Sequence, residues 1–87
     1  MEKYFRNSEI LDGNLEGNLV MMDIQKGKYF SLNPVGKRIW EIIEQPKSFD
    51  EITDTLQTEF EVTAEQCRLE VVEFLVKMEK SGIIKKG

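Results

Sequence analysis

The chain has 87 residues, of which 40% are hydrophobic and 32% are charged, and its formal net charge is -4. This length and balance predict one small folded domain, residues 1–87, and exclude a disordered tail. The acidic total argues against binding to nucleic acid or to anionic membranes. No apolar stretch approaches the ~18 residues of a membrane span, and the first residues lack the apolar segment of a secretory signal. A single cysteine excludes an internal disulfide, so we expect a reducing, cytoplasmic location.

The first third of the chain predicts three short strands. Gly13, Gly17 and Gly27 separate the stretches "EIL", "LVMMDI" and "KYFSL", and glycine-bounded apolar runs of this length are typical of strands in hairpins. In a simple meander the third predicted strand, residues 28–32, lies at the edge of the sheet. One row of its backbone N–H and C=O groups is then unpaired.

The turn between the second and third predicted strands decides which side chains face the core. A three-residue loop over residues 25–27, closed by glycine in the left-handed conformation, pairs Met22 with Phe30. This register gathers one apolar face, made of Val20, Met22, Ile24, Phe30 and Leu32. A two-residue Lys-Gly turn pairs Met22 with Ser31 and breaks up that face, so we predict the first register.

A first helix is predicted directly after the third strand. Asn33 is a good N-cap, Pro34 suits the first helical position, and Pro46 ends the helix. Between them apolar residues recur at helical spacing: Val35, Ile39, Trp40, Ile42 and Ile43. We interpret Trp40 as a core anchor rather than a platform for a ligand.

Two more helices follow, and each begins with a recognisable motif. "SFDE" from Ser48 and "TAEQ" from Thr63 are capping boxes. The third helix is predicted to reach about Ser81, with Gly82 at the position just past its end. The order of elements therefore predicts an α+β fold, with a three-stranded antiparallel sheet followed by three helices.

The sequence offers little catalytic chemistry. It contains no histidine, which removes the commonest general base and the commonest metal ligand. Cys67 lies on the apolar face of a predicted helix and is interpreted as a small buried hydrophobe. Glycine-rich phosphate-binding loops are absent too. We therefore predict no enzymatic activity, no cofactor and no metal site.

The third predicted helix carries two apolar stripes. The core stripe consists of Ala64, Cys67, Val71, Phe74, Leu75 and Met78. A second stripe, which consists of Leu69, Val72 and Val76, lies about 150° away around the helix. It must be covered by another part of this chain, by an oligomer partner or by a ligand. Glu65 and Arg68 flank it and are expected to meet charges on a guest. An open strand edge beside this stripe favours the addition of a guest strand.

Two segments resemble the PqqD-like family of peptide-recognition domains. Residues 27–43, "GKYFSLNPVGKRIWEII", are similar to the family pattern G-x-Y-[FY]-x-L-N-x-x-G-x-x-I-W, and "MEKSGII" at residues 78–84 is similar to the family's ending. The resemblance implies a winged-helix-like fold. It also implies that the leader segment of a ribosomally synthesised precursor peptide binds as an added strand between the third strand and the third helix.

The resemblance also implies a set of contact residues and partners. The expected peptide-binding residues are Lys28, Tyr29, Phe30, Ser31, Leu32, Glu65, Arg68, Leu69, Val72 and Val76. Free-standing members in lasso-peptide biosynthesis deliver the leader to a separate leader peptidase subunit and then to a cyclase. Members that serve a radical enzyme in cofactor maturation tend to carry Pro-Glu-Gly in the hairpin, where this chain has "DIQKGKYF". That departure favours the lasso type.

Two other functions compete with peptide recognition. A winged helix can bind DNA through its third helix, but a helix that faces phosphates should be basic. Here its central charges are four acids and three bases: Glu65, Arg68, Glu70, Glu73, Lys77, Glu79 and Lys80. The second alternative is a structural subunit that buries the second stripe in a homodimer.

Overall fold

Residues 2–87 are described by a computed structural model. They form, in chain order, β1 (Tyr4–Arg6), β2 (Leu11–Leu15), β3 (Asn18–Asp23), β4 (Lys28–Ser31), α1 (Pro34–Ile42), α2 (Phe49–Glu59), α3 (Ala64–Lys80) and β5 (Ile84–Lys86). One antiparallel sheet has the order β2-β3-β4, and a second sheet pairs β1 with β5. The prediction of an α+β fold, with a three-stranded antiparallel sheet followed by three helices, is confirmed.

The small sheet made of β1 and β5 joins the two ends of the described chain. Tyr4 pairs with Lys86, and the Lys3 N–H donates to the Gly87 carbonyl at 2.9 Å, with the reverse bond at 3.0 Å. The sequence did not predict this sheet. Strands of three residues are too short to show an alternating pattern, and their partners are far apart in the sequence.

The first predicted strand was placed too early in the chain. The strand β2 begins at Leu11, where "EIL" ends, and it continues through Gly13 to Leu15. Its turn into β3 consists of Glu16 and Gly17, which both have positive φ, at 53° and 85°. Two such residues form the type I′ turn that suits the twist of a hairpin. Gly13 is thus part of a strand rather than its boundary.

The predicted register of β3 against β4 is wrong by one residue. Met21, not Met22, pairs with Phe30, and the loop has four residues, 24–27, rather than three. Asp23 stabilises this longer loop, because its Oδ1 accepts the Lys26 N–H at 3.2 Å. Met21 is therefore fully buried, whereas Ile24, which was expected on the core face, is 67% exposed.

Trp40 anchors α1 in the core, as predicted, because its side chain is almost fully buried. Its indole Nε1 donates to Asp12 Oδ2 at 2.7 Å, so the ring also holds β2. The Arg6 guanidinium lies 4.5 Å from the ring centroid and donates to the Trp40 carbonyl through Nε and Nη2. One aromatic residue thus joins α1 to both sheets.

The predicted capping box at the start of α2 is confirmed. The Glu51 N–H donates to Ser48 Oγ at 3.2 Å, and the Ser48 N–H donates to Glu51 Oε1 at 2.9 Å. At the start of α3 only half of the box is present. Thr63 Oγ1 accepts the Gln66 N–H at 3.1 Å, but the Gln66 amide donates to Glu70 instead of reaching back.

The end of α3 has the geometry that its glycine predicted. Gly82 follows the C-cap residue Ser81 with a φ of 77°. The Ile83 N–H then donates to the Met78 carbonyl at 2.9 Å, and the Gly82 N–H donates to the Glu79 carbonyl at 3.1 Å. This pair of bonds is a Schellman motif, which turns the chain from α3 into β5.

The N-cap of α1 is also confirmed and leads to a test of stability. Asn33 Oδ1 accepts the Gly36 N–H at 2.8 Å. Loss of an N-cap costs about 1 kcal/mol, which in a domain of this size lowers the melting temperature by roughly 5 °C. We expect that drop for Asn33→Ala in thermal unfolding followed by circular dichroism. Asn33→Ser, which retains a capping oxygen, should melt close to the unsubstituted protein; equal melting of the two variants would contradict the capping role.

Candidate functional site

The core stripe of α3 is largely where the sequence placed it. Cys67, Val71, Leu75 and Met78 are buried. Ala64 was wrongly assigned to this stripe, because the first residue of α3 lies beyond the core and is exposed. Phe74 packs against the core but is only partly buried.

The second apolar stripe of α3 faces solvent. The side chains of Leu69, Val72 and Val76 are 54%, 44% and 45% exposed. No element within residues 2–87 covers these side chains. The sequence left three coverings open, and the first of them, another part of this chain, is absent from the described structure. An oligomer partner or a ligand remains.

A groove runs along the flank of α3 beside this stripe, and we call it the α3 groove. Its deeper part is a cavity of about 310 Å³, lined by Asn33, Val35, Gly36, Glu70, Glu73, Phe74 and Lys77. Its shallower part, of about 460 Å³, is lined by Val72, Glu73, Val76, Lys77 and Lys80. Glu73 and Lys77 line both parts, so the two parts adjoin at these side chains.

The hairpin of β3 and β4 lies alongside this groove. A Cβ atom on Gly82, just past the end of α3, would lie 3.5 Å from Lys26 Nζ in the hairpin loop. At the other end of β4, Asn33 lines the cavity together with Glu70 and Phe74. Thus β4 starts near the end of α3 and finishes near its middle, and the two elements run in opposite directions.

The strand β4 is an edge strand, as predicted, and its free backbone groups can be assigned. The Leu32 N–H donates to the Leu19 carbonyl at 3.1 Å, so residues 19 and 32 form a hydrogen-bonded pair. Such pairs alternate along an antiparallel ladder, so Phe30 also bonds to β3. The N–H and C=O groups of Tyr29 and Ser31 therefore point away from the sheet, where they can pair with an added strand.

The expected contact residues of β4 fall into two groups. Lys28, Tyr29 and Ser31 have exposed side chains, and Tyr29 reaches 74% exposure. Phe30 and Leu32 turn their side chains to the core, and their backbone groups to β3.

On α3 the expected contact residues are not all on the same side. Leu69, Val72 and Val76 are together in the second stripe. Arg68 lies towards α2, where its Nη2 is 3.4 Å from Asp50 Oδ1 and its guanidinium is 5.0 Å from the Phe49 ring centroid. Glu65 is exposed in the first turn of α3.

Several groove residues were not predicted as contacts. Glu70, Glu73 and Lys77 lie on the flank of α3 between its two apolar stripes, and Phe74 reaches the same cavity from the core stripe. A helical wheel shows that such a flank exists on α3, but the sequence did not show which flank faces the sheet. Gly36 explains how Phe74 reaches the cavity, because a Cβ at Gly36 would lie only 2.8 Å from Phe74 Cε1. Glycine lets the ring lie against α1.

The cysteine of the chain does not line this groove. Burial raises the pKa of the Cys67 thiol, which lies 3.6 Å from the Thr53 carbonyl oxygen, so the thiol is neutral at pH 7. Within residues 2–87 no group of three or more acids and cysteines is placed to hold a metal ion. In the same range no helix is long and apolar enough to cross a bilayer. The groove offers apolar side chains, free backbone groups and fixed charges, which are the means of binding a peptide.

Comparison with known proteins agrees with this geometry. Residues 18–84 match the family described as Coenzyme PQQ synthesis protein D (PqqD), and the chain belongs to this family. The resemblance seen in the sequence is thereby confirmed. A comparison with curated protein sequences gave no significant match.

Two solved structures share the fold over almost their whole length. One is TbiB1 in complex with the TbiA(beta) leader peptide, with a TM-score of 0.82, 25% identity, and coverage of 93% of this chain and 94% of that chain. The other is a lasso peptide synthetase B1 complexed with the leader peptide, with a TM-score of 0.82 and 18% identity, over 94% and 96% of the two chains. The second comparison supports the fold alone.

Proposed function

We propose that this chain, acting as one domain over residues 1–87, binds the leader segment of a precursor peptide in lasso-peptide biosynthesis. The observation that carries the proposal is that the domain leaves two surfaces unsatisfied. The free edge of β4 offers the backbone groups of Tyr29 and Ser31, and α3 offers an uncovered apolar stripe. The similarity to TbiB1, which was solved with a leader peptide, supports the same function.

Strand addition accounts for both affinity and register. A guest strand that pairs with β4 gains backbone hydrogen bonds, and alternate guest side chains then face α3. Burial of a side chain such as Leu69 or Val72 against the guest contributes roughly 1.5 kcal/mol each. The contacts predicted at Lys28 on β4 and at Val76 on α3 remain part of the proposal.

We further propose that the chain itself is not an enzyme and presents the leader to separate enzymes, a leader peptidase subunit and a cyclase. The buried, neutral Cys67 and the lack of histidine support a role in binding rather than catalysis. A bound leader keeps its flanking residues free at both ends of the added strand, so another enzyme can act on them.

The direct test is a titration of the whole chain with a synthetic, fluorescein-labelled leader peptide from the precursor encoded beside its gene. We expect saturable binding by fluorescence anisotropy, with a micromolar or lower dissociation constant, and recovery of the intact peptide by mass spectrometry. A scrambled peptide of the same composition is the control, and the TbiA(beta) leader is a useful comparison. Failure of the encoded leader to bind, or its cleavage by the chain alone, would contradict the proposal.

The family name provides a second candidate, a peptide chaperone for a radical enzyme in cofactor maturation. The resemblance implies Pro-Glu-Gly in the hairpin of members with that role, whereas residues 23–30 of this chain read "DIQKGKYF". A homodimer that buries the second stripe is a third possibility. Sedimentation at micromolar concentration separates it from a monomer, since a dimer would compete with the leader for Val72 and Val76.

A further inference from the structure

The α3 groove has an ordered distribution of charge. Along α3 the acids Glu70 and Glu73 come first, and the bases Lys77 and Lys80 follow them. Lys77 lines the cavity beside Asn33 together with both acids, and Lys80 lies closest in sequence to Gly82. Lys26, whose ammonium group lies next to Gly82, adds a further positive charge at that end. From Glu70 to Lys80 the helix rises about 15 Å. The groove is therefore acidic at one end and basic at the other.

These groove charges are not used by the fold. Within residues 2–87, ion pairs to acids are made by cations elsewhere on the molecule: Arg6, Arg38, Arg68 and Lys86. In the same range, Glu73, Lys77 and Lys80 form no ion pair. Glu73 and Lys77 are four residues apart in the order that favours pairing on a helix, and yet they do not pair. Glu70 only accepts a hydrogen bond from the Gln66 amide, at 3.2 Å.

We propose that the groove selects a guest strand whose charges run in the opposite order, with a basic side chain beside Glu70 and Glu73 and an acidic one beside Lys77 and Lys80. This inference rests on the proposed function and adds the chemical class of the guest. A strand rises about 3.4 Å per residue, and every second side chain faces α3. Two guest charges four residues apart span about 14 Å, which is close to the ~15 Å helix rise from Glu70 to Lys80.

The same charge order sets the direction of the guest. The free N–H and C=O groups of Tyr29 and Ser31 can pair with a parallel or an antiparallel strand, so the edge of β4 alone leaves the direction open. The groove charges distinguish the two directions, because a reversed guest would bring like charges together. Exposed pairs are individually weak and are screened by salt, so the selection should be clearest at low ionic strength.

The test exchanges charges on both partners without altering the net charge of the protein. The protein variant is the full chain with Glu70→Lys, Glu73→Lys, Lys77→Glu and Lys80→Glu. The probes are the synthetic leader described above and a version in which every acidic residue is replaced by Lys and every basic residue by Glu. A matched control protein carries Glu61→Lys and Lys85→Glu, which lie outside the groove. Thermal melts verify that each variant is folded.

We expect the unsubstituted chain to prefer the natural leader by about tenfold at ~50 mM NaCl, and the four-residue variant to prefer the charge-exchanged leader. Both preferences should shrink at ~500 mM NaCl, and the control protein should behave like the unsubstituted chain. If both proteins prefer the same leader, or if the unsubstituted chain does not distinguish the two, the charge rule is overturned while leader binding stands. If the natural leader does not bind at all, the proposed function itself fails.

Discussion

Val72→Glu is expected to weaken leader binding at least ~10-fold and to leave the fold almost unchanged, whereas Leu75→Glu is expected to unfold the domain. The two residues are three positions apart on α3, yet Val72 is half exposed and Leu75 is buried. A carboxylate at position 72 is hydrated in the free protein and loses water only under a guest. At position 75 it would be buried without a partner, which costs several kcal/mol. A domain of this size has only about 5 kcal/mol of stability.

Thermal melts and leader titrations on the same two variants show whether position 72 belongs to the binding surface and position 75 to the core. Leu69→Glu serves as a second stripe variant and should behave like Val72→Glu, because both side chains belong to the exposed stripe. If the two stripe variants melted as badly as Leu75→Glu, the stripe would be part of the core. Normal leader affinity in both, with normal melting, would move the binding site away from α3.

Ser31→Pro should abolish one hydrogen bond to the guest without removing any bond within the sheet. The N–H of Ser31 points away from β3, since residue 31 lies between the bonded positions 30 and 32. Proline has no N–H, and it is tolerated on edge strands at such outward positions. We expect about a tenfold loss of leader affinity, which corresponds to roughly 1.4 kcal/mol, with a melting temperature close to that of the unsubstituted chain.

Two further variants make the strand test specific. Ser31→Thr retains the N–H and should bind normally. Phe30→Pro removes an N–H that bonds to β3, together with a ring that packs on the core, and should destabilise the sheet. Unchanged leader affinity in Ser31→Pro would mean that the guest does not pair with this edge.

Local signals in the sequence predicted the helices well. Asn33 and Ser48 cap their helices because their side chains bond to nearby amides, and such contacts need no tertiary information. The hairpin register was harder to predict. "LVMMDI" is apolar on both faces, so a shift of one residue changes which methionine is buried without changing the pattern. The pairing of β1 with β5 depends on contacts across the whole chain and left no local signal.

The candidate site was predictable only in part for the same reason. A helical wheel separates the stripe of Leu69, Val72 and Val76 from the core without any knowledge of the fold. It does not tell which flank of α3 meets the sheet. Two charged residues on α3 were chosen from the sequence: Arg68 faces α2 and Asp50, and Glu65 is exposed in the first turn. The charged residues that line the groove include Glu73 and Lys77 instead. Periodicity shows which residues share a face of a helix, but packing decides which of those faces meets the sheet.

The pairing of Lys3 with Gly87 also has a topological meaning. Lys3 and Gly87 exchange two backbone hydrogen bonds, so the backbone between them is almost a closed ring. A short covalent link across this point would bend neither sheet. It would restrict only the unfolded chain, and the loss of loop entropy for a ring of this size is worth roughly 4.6 kcal/mol. A ring of this kind can be opened at another loop, as in a circular permutant. The same elements would then follow one another in a different order along the chain and still build the same surface.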